Sequence, residues 1–155
     1  MKINEFIRQF CEGCDFEQRI IQQKNDFYLV QDEVKKIAGR IRDRAGLDPA
    51  SIGLHLGTEQ GIFRPSLALL ELIAKESARK VFVNEKGEWL FVCGRDLMKG
   101  SIQKAKVNNG LVLVQNMRDE NLGLGKILLD PTDQDIPKDK IVVKNIMNRG
   151  QYLGR

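Results

Sequence analysis

The stretch Lys80–Ile102, KVFVNEKGEWLFVCGRDLMKGSI, decides the fold. Lys80 to Asn84 alternates as a strand, and Glu85-Lys86-Gly87-Glu88 has the composition of a hairpin turn. Trp89 to Cys93 reads as the returning strand, which places Trp89 and Phe91 in the core. Arg95 to Gly100 follows as a basic turn closed by glycine. Downstream the hydrophobic period stays at two. Asn108-Asn109-Gly110 leads into Leu111–Gln115, Asp119-Glu120-Asn121 turns into LGLGKILL, and after Pro131 and Pro137 comes a final strand, IVVKNI. Short strands with turns at near-regular spacing predict a small β-barrel or sandwich.

Upstream the pattern is mixed. Ile3, Phe6, Ile7, Phe10, Cys11 and Cys14 fall at helical spacing, with Gly13 near the stop. QRIIQQ and DFYLV read as two strands around Lys24-Asn25-Asp26. Asp32 stands at an N-cap position before Val34, Ile37, Ala38, Ile41 and Ala45, a helix stopped by Gly46 and Pro49. SIGLHLGT alternates as a strand, with Ile52, Leu54 and Leu56 on one face and His55 on the other. A turn is expected over Gly57 to Gly61, then a helix from Leu67 to about Arg79 with Ser66 as its cap. The change of period near Ala78–Lys80 divides the chain into 1–78 and 79–155.

Charge follows the same division. Residues 1–78 carry 11 Lys and Arg against 12 Asp and Glu, and residues 79–155 carry 14 against 9. The whole excess of positive charge therefore lies in the second half, where a polyanion would bind. With 42% hydrophobic residues and 4 Pro, the chain is able to bury a core. No run approaches the ~20 apolar residues of a membrane span, and no apolar leader opens the chain. Three cysteines, an odd and low count, argue for a reducing cytoplasmic setting without a disulfide framework.

The catalytic inventory is thin. The single histidine, His55, fits a hydrogen-bonded structural role better than that of a general base. Cys11-Glu12-Gly13-Cys14 is a lone CxxC that lacks the second ligand pair a zinc site needs. Gly123-Leu124-Gly125-Lys126 precedes a strand, not the helix a phosphate loop requires, so its glycines serve the close approach of a barrel strand to its neighbour. No cofactor, metal ligand set or catalytic group is expected. The basic residues are more informative: between 95 and 118, Arg95, Lys99, Lys104, Lys106 and Arg118 oppose only Asp96. Strand alternation would put Lys138, Lys140 and Lys144 beside Val142, with Ile141 and Val143 facing the core. Such a line, at intervals of about 7–13 Å, suits successive phosphates. It equally suits an edge strand guarded by lysines. Tyr152, in the polar tail, is the candidate for base stacking.

GRDLMKGSI (94–102) and the later LGLG (122–125) resemble the shared motifs of PUA domains, RNA-binding pseudo-barrels. With YLVQDEVKKIAGRI, SIGLHLGTEQG and the closing VVKNIMNRGQYLGR, the chain from about Tyr28 is similar to the Nip-seven type of large ribosomal subunit biogenesis factor. The resemblance implies an α+β protein: an α/β pre-PUA domain with an antiparallel sheet and flanking helices, followed by a β-rich PUA pseudo-barrel. It implies a non-catalytic factor that binds large-subunit pre-rRNA, with a U-rich preference and assembly or RNA-processing proteins as partners. The expected protein is monomeric and cytoplasmic, or nucleolar in a eukaryote; with no tail past Arg155, the chain looks more archaeal. The implied RNA surface includes Lys140 and Lys144, and Met147 stands where a basic residue would have extended the line. The expected contacts are Lys138, Lys140, Lys144 and Arg149, supported by Arg95, Lys99 and Arg118. Two rival readings are an accessory of an RNA-modifying enzyme, with Cys11 as nucleophile, and a protein-interaction adaptor.

Overall fold

The computed structural model describes residues 2–31 and 53–152, and the helix expected over Val34–Ala45 lies outside them. The chain forms two compact units, Met1–Ile73 and Ala74–Arg155.

The first unit begins with helix α1 (Lys2–Arg8), which buries Ile3, Phe6 and Ile7 on one face. The helical spacing runs on to Cys14, but the helix stops six residues earlier. Gly13, at φ +66°, turns the chain, and Cys11 and Cys14 are joined in a disulfide across that turn. This corrects the expectation of unbridged thiols: the two cysteines are so close in sequence that a single tight turn brings them together. Strands β1 (Ile20–Gln23) and β2 (Asp26–Leu29) form the expected hairpin, with Lys24 in the left-handed region at φ 55°. Strand β3 (Leu54–Gln60) runs past the expected glycine turn and reverses only at Gly61, where φ is +77°, into β4 (Ile62–Pro65). Gly57 is not a turn residue. A side chain there would stand 2.5 Å from Cζ of Phe63, so its glycine lets β3 and β4 close over an aromatic cluster. In that cluster Phe63 meets Phe6 and Phe27 with ring centroids 5.4 and 5.9 Å apart. The sheet is antiparallel in the order β1-β2-β3-β4. Helix α2 (Leu67–Ala74) is capped as expected, the Ser66 hydroxyl accepting from the Leu69 N–H at 3.2 Å, but it ends with its apolar run at Ala74, short of the expected Arg79.

The second unit departs from expectation at the deciding stretch itself. After β5 (Lys80–Val83), residues Glu85–Val92 form helix α3, not a turn and a returning strand. The cause is local. The Asn84 side chain accepts from the Gly87 N–H at 2.8 Å, an N-cap, and Glu85 and Glu88 place negative charge in the first turn. Gly87 looked like a hairpin residue, yet it faces the core, where an added Cβ would lie 2.8 Å from that of Ser101. Strand β6 (Leu97–Met98), a 3-10 turn (Lys99–Ser101) and β7 (Ile102–Ala105) follow. The expected strands β8 (Gly110–Gln115), β9 (Asn121–Ile127) and β10 (Ile141–Asn148) complete a sheet of order β6-β10-β9-β8-β5-β7, antiparallel except for β5 and β8.

That order rolls the sheet. Its two edges, β6 and β7, are separated in sequence only by Lys99–Ser101. Laid flat, six strands at ~4.8 Å spacing would hold the edges about 24 Å apart, whereas four chain steps reach ~14 Å at most. The sheet therefore bends into a nearly closed barrel. Its core joins Val81, Val83, Phe91, Leu97, Val112, Val114, Leu122, Ile127, Val142 and Val143, and each such buried side chain contributes about 1.5–3 kcal/mol. The glycines of β9 serve close packing, as expected: a Cβ on Gly125 would lie 2.5 Å from Cγ1 of Val143. The fold is α+β, with an antiparallel sheet and helices followed by a β-rich barrel.

Candidate nucleic-acid interface

The segment after α3 is locked against the start of β10. Gly94, at φ +93°, turns the chain, and the Arg95 N–H donates to the Leu90 carbonyl at 2.9 Å. The Asn145 side chain donates to the carbonyls of Phe91 (2.8 Å) and Arg95 (3.1 Å), while its N–H donates to the Asp96 carboxylate at 2.8 Å. One asparagine thus fixes the helix end, the turn and the strand. Further along, the Lys99 and Gly100 N–H groups donate to the carbonyls of Lys140 (2.8 Å) and Lys138 (2.9 Å). Gly100 admits this approach, since a Cβ there would already be 3.2 Å from the Lys138 carbonyl oxygen.

An open cleft of about 420 Å³ lies between these segments, lined by Leu90, Gly94, Arg95, Asp96, Met98, Asp139 and Ile141. Leu90, Met98 and Ile141 give it an apolar floor. Arg95, Lys138 and Lys140 are exposed beside it, and Lys99 is half-buried. Lys144 lies further along β10, opposite Lys126 of β9, both exposed. Among the described residues, none of Arg95, Lys126, Lys138, Lys140 and Lys144 is in an ion pair. Lys126 is not among the expected contacts, since in the sequence it belongs to a glycine run like a phosphate loop, although its place opposite Lys144 follows once β9 and β10 are paired.

Arg118 and Arg149 do not join this group. Register puts them at the other end of β9 and β10, where Asn148 pairs with Gly123. There the Arg118 side chain pairs with Glu120 at 2.9 Å, and the Arg149 Nε donates to the Asn121 carbonyl at 3.0 Å. The Glu120 carboxyl is held below its ordinary range by a hydrogen bond from Asn116 and by the Arg118 charge.

The alternation expected over Lys138–Lys144 does not occur. The strand begins only at Ile141, and its pairing slips between Ile141 and Val143. Ile141 is consequently exposed, while Val142 and Val143 are both buried. A second slip, between Asn145 and Met147, buries Met147 and leaves Ile146 exposed, so Met147 does not continue the Lys144 line. Phe91 is fully buried as expected, but Trp89, expected in the core, is 67% exposed because the segment is a helix. Tyr152 ends the last 3-10 turn, and its side chain is outside the described set.

The remaining candidates are quiet. His55 Nε2 lies 3.0 Å from the Asp26 carboxylate, which also accepts from the Thr58 hydroxyl at 2.6 Å. The histidine is hydrogen-bonded, and the Thr58 and His55 bonds hold the Asp26 carboxyl below its ordinary range. Cys11, considered as a nucleophile, is bonded to Cys14. No helix among the described residues is long and apolar enough to cross a membrane.

A rolled six-stranded sheet with one parallel pair, a capped helix packed on its core and a glycine-framed turn beside its last strand defines a PUA-type domain. Residues 79–155 match the UPF0113 PUA domain family. The chain is 34% identical over 134 residues to a UPF0113 protein of Archaeoglobus fulgidus, covering 84% of this chain and 74% of that one. It is also 32% identical over 137 residues to the 60S ribosome subunit biogenesis protein NIP7 of Saccharomyces cerevisiae, at the same coverage. The chain belongs to the UPF0113 family, in agreement with the resemblance read from its motifs. Among solved structures, a conserved PUA domain protein from Thermoplasma acidophilum aligns with a TM-score of 0.53 at 19% identity, over 81% of this chain and 95% of that one. A hypothetical protein from Pyrococcus horikoshii aligns at 0.52 and 18%, over 95% and 89%. Both likenesses concern the fold.

Proposed function

We infer that this protein is a non-catalytic RNA-binding factor of ribosome assembly, acting on large-subunit precursor RNA as a cytoplasmic monomer. On this reading the functional division lies at 78/79, where the charge changes, a few residues past the boundary of the compact units: residues 79–155 grip RNA, and residues 1–78 contact other assembly proteins. The observation that carries this reading is a group of cations in no ion pair among the described residues: Arg95, Lys138 and Lys140 at a cleft with an apolar floor, and Lys144 and Lys126 further along β10 and β9. Cations without acidic partners are held at no structural advantage, whereas phosphates along a strand would neutralise them and release counterions. Lys99, half-buried against the Lys140 backbone, positions the cleft wall as well as adding charge. Arg118 and Arg149, engaged at the far end of β9 and β10, reach only an RNA long enough to run along both strands. The yeast relative's role in 60S subunit biogenesis supports the large-subunit assignment.

The test is an RNA titration across a salt series, with Lys138→Glu and Lys140→Glu combined. The expected result is weaker binding and a flatter dependence of log affinity on log salt, by about 0.7 for each single-strand phosphate that the variant no longer neutralises. Unchanged affinity and slope would remove these lysines from the interface. Crosslinking in cells that recovers large-subunit RNA supports the assignment to that particle, and recovery of unrelated RNA overturns it.

A further inference from the structure

Trp89 is the chain's single tryptophan, and two thirds of its surface is open to solvent. Its exposure is fixed by the helix that carries it. Gly87 packs against Ser101, Phe91 is fully buried in the barrel core, and the Glu88 carboxylate accepts from the Asn116 side chain at 3.1 Å. With those three residues anchored, α3 has no rotation left that would bury the indole. The next residue, Leu90, lines the cleft, and its carbonyl accepts from the Arg95 N–H. Trp89 does not itself line the cleft but directly precedes, on the same helix, a residue that does, so a strand leaving the cleft along α3 meets it.

We propose that Trp89 is a stacking platform for an unpaired nucleobase of the RNA held at the cleft, which makes single-stranded RNA the ligand class of this site. The proposal rests on the reading of the cleft as an RNA site. An indole offers a flat π-face that accepts any base, and such stacking is the usual way a basic groove holds a strand without reading its sequence. A duplex supplies no such face, because its bases already stack on one another. A protein interface centred on the tryptophan would be depleted of Lys and Glu around it. The exposed residues one turn before Trp89 on α3 are instead Glu85 and Lys86, both charged, while the cleft is lined by Arg95 with Asp96 and Asp139, and Lys138 and Lys140 flank Asp139 in the chain. A polyanion whose bases are free is the ligand that uses both features.

The single tryptophan makes the test direct. The full chain is titrated with single-stranded oligouridylate and, separately, with the duplex of oligouridylate and oligoadenylate, following the intrinsic fluorescence and the anisotropy of labelled RNA. The single strand is expected to quench Trp89, and the duplex to bind without quenching. Trp89→Ala is expected to weaken single-strand binding roughly 5- to 150-fold with the salt slope unchanged, and Trp89→Phe to restore part of it. Melting temperatures equal to that of the parent protein would show that both variants fold. Saturating binding with no quenching, or unchanged affinity in Trp89→Ala, overturns the stacking role. The cleft reading stands in that case if the lysine reversals still weaken binding. If the parent protein binds neither RNA, both readings fall. Unchanged RNA affinity in Trp89→Ala together with loss of a co-purifying protein would assign the indole to a protein interface and overturn the proposal.

Discussion

Lys126 and Lys144 are register partners across β9 and β10, both exposed. Like charges directly opposite one another on a sheet are destabilising, on the order of 0.2–1 kcal/mol for such cross-strand pairs. Lys126→Glu replaces the repulsion with an attraction. The variant is expected to be more stable by about that amount in urea unfolding without RNA. It is also expected to bind RNA more weakly and with a flatter salt dependence. Tighter folding with weaker binding is the signature of a charge kept for a ligand. A variant that loses stability, or binds as the parent does, contradicts it.

The misread turn offers its own check. If Asn84 caps α3, Asn84→Ala removes the acceptor for the Gly87 N–H and lowers stability by about 0.5–2 kcal/mol, whereas Asn84→Gly costs only a few tenths. Urea denaturation of the two variants side by side measures the difference. Equal losses would mean that the side chain does not act as a cap.

Acid should weaken the first unit through Asp26. The Thr58 hydroxyl, and then His55, hold its folded pKa below the ordinary value. A depressed carboxyl pKa gives stability that is present above the unfolded value of about 3.9 and is lost as pH falls through the folded value. Asp26→Asn is therefore expected to cost stability at neutral pH and to flatten the fall in unfolding free energy below about pH 4. The same acid slope in variant and parent would show that the bonds to Thr58 and His55 do not favour the charged form.

The Cys11–Cys14 bridge closes a very short loop. Constraint of the unfolded chain by a loop that small is worth about 2 kcal/mol at most. Reductant should lower stability by no more than this, and Cys14→Ser should remove the response altogether. A reductant effect that persists in Cys14→Ser would trace to Cys93 instead.

Much of the architecture was legible because period-two runs such as Leu111–Gln115 leave little choice, and β8, β9 and β10 lie where those runs fall. The deciding stretch was misread because glycine carries two meanings. Gly87 between charged residues looks like a turn, while its actual task, admitting Ser101, depends on a residue fourteen positions away. The error carried straight into the site, since a strand would have buried Trp89. Strand alternation failed again at β10, where two slips in pairing with β6 and β9 reverse the inward face and no single-strand pattern announces them. The cations themselves were readable as a group. Which of them share a cleft, and which are engaged with Glu120 and Asn121, depended on pairing between distant segments.

The rolled sheet has a bearing on when the protein becomes competent. Asp139 and Ile141 form one wall of the cleft, and the carbonyls of Lys138 and Lys140 beside them are held by the N–H groups of Gly100 and Lys99, about forty residues earlier in the chain. A chain still being translated presents Arg95 and Lys99 long before β10 exists, and at that moment there is no cleft for them to border. The cleft is assembled only once β10 has joined the sheet. A chain that lacks β10 therefore lacks the cleft as well.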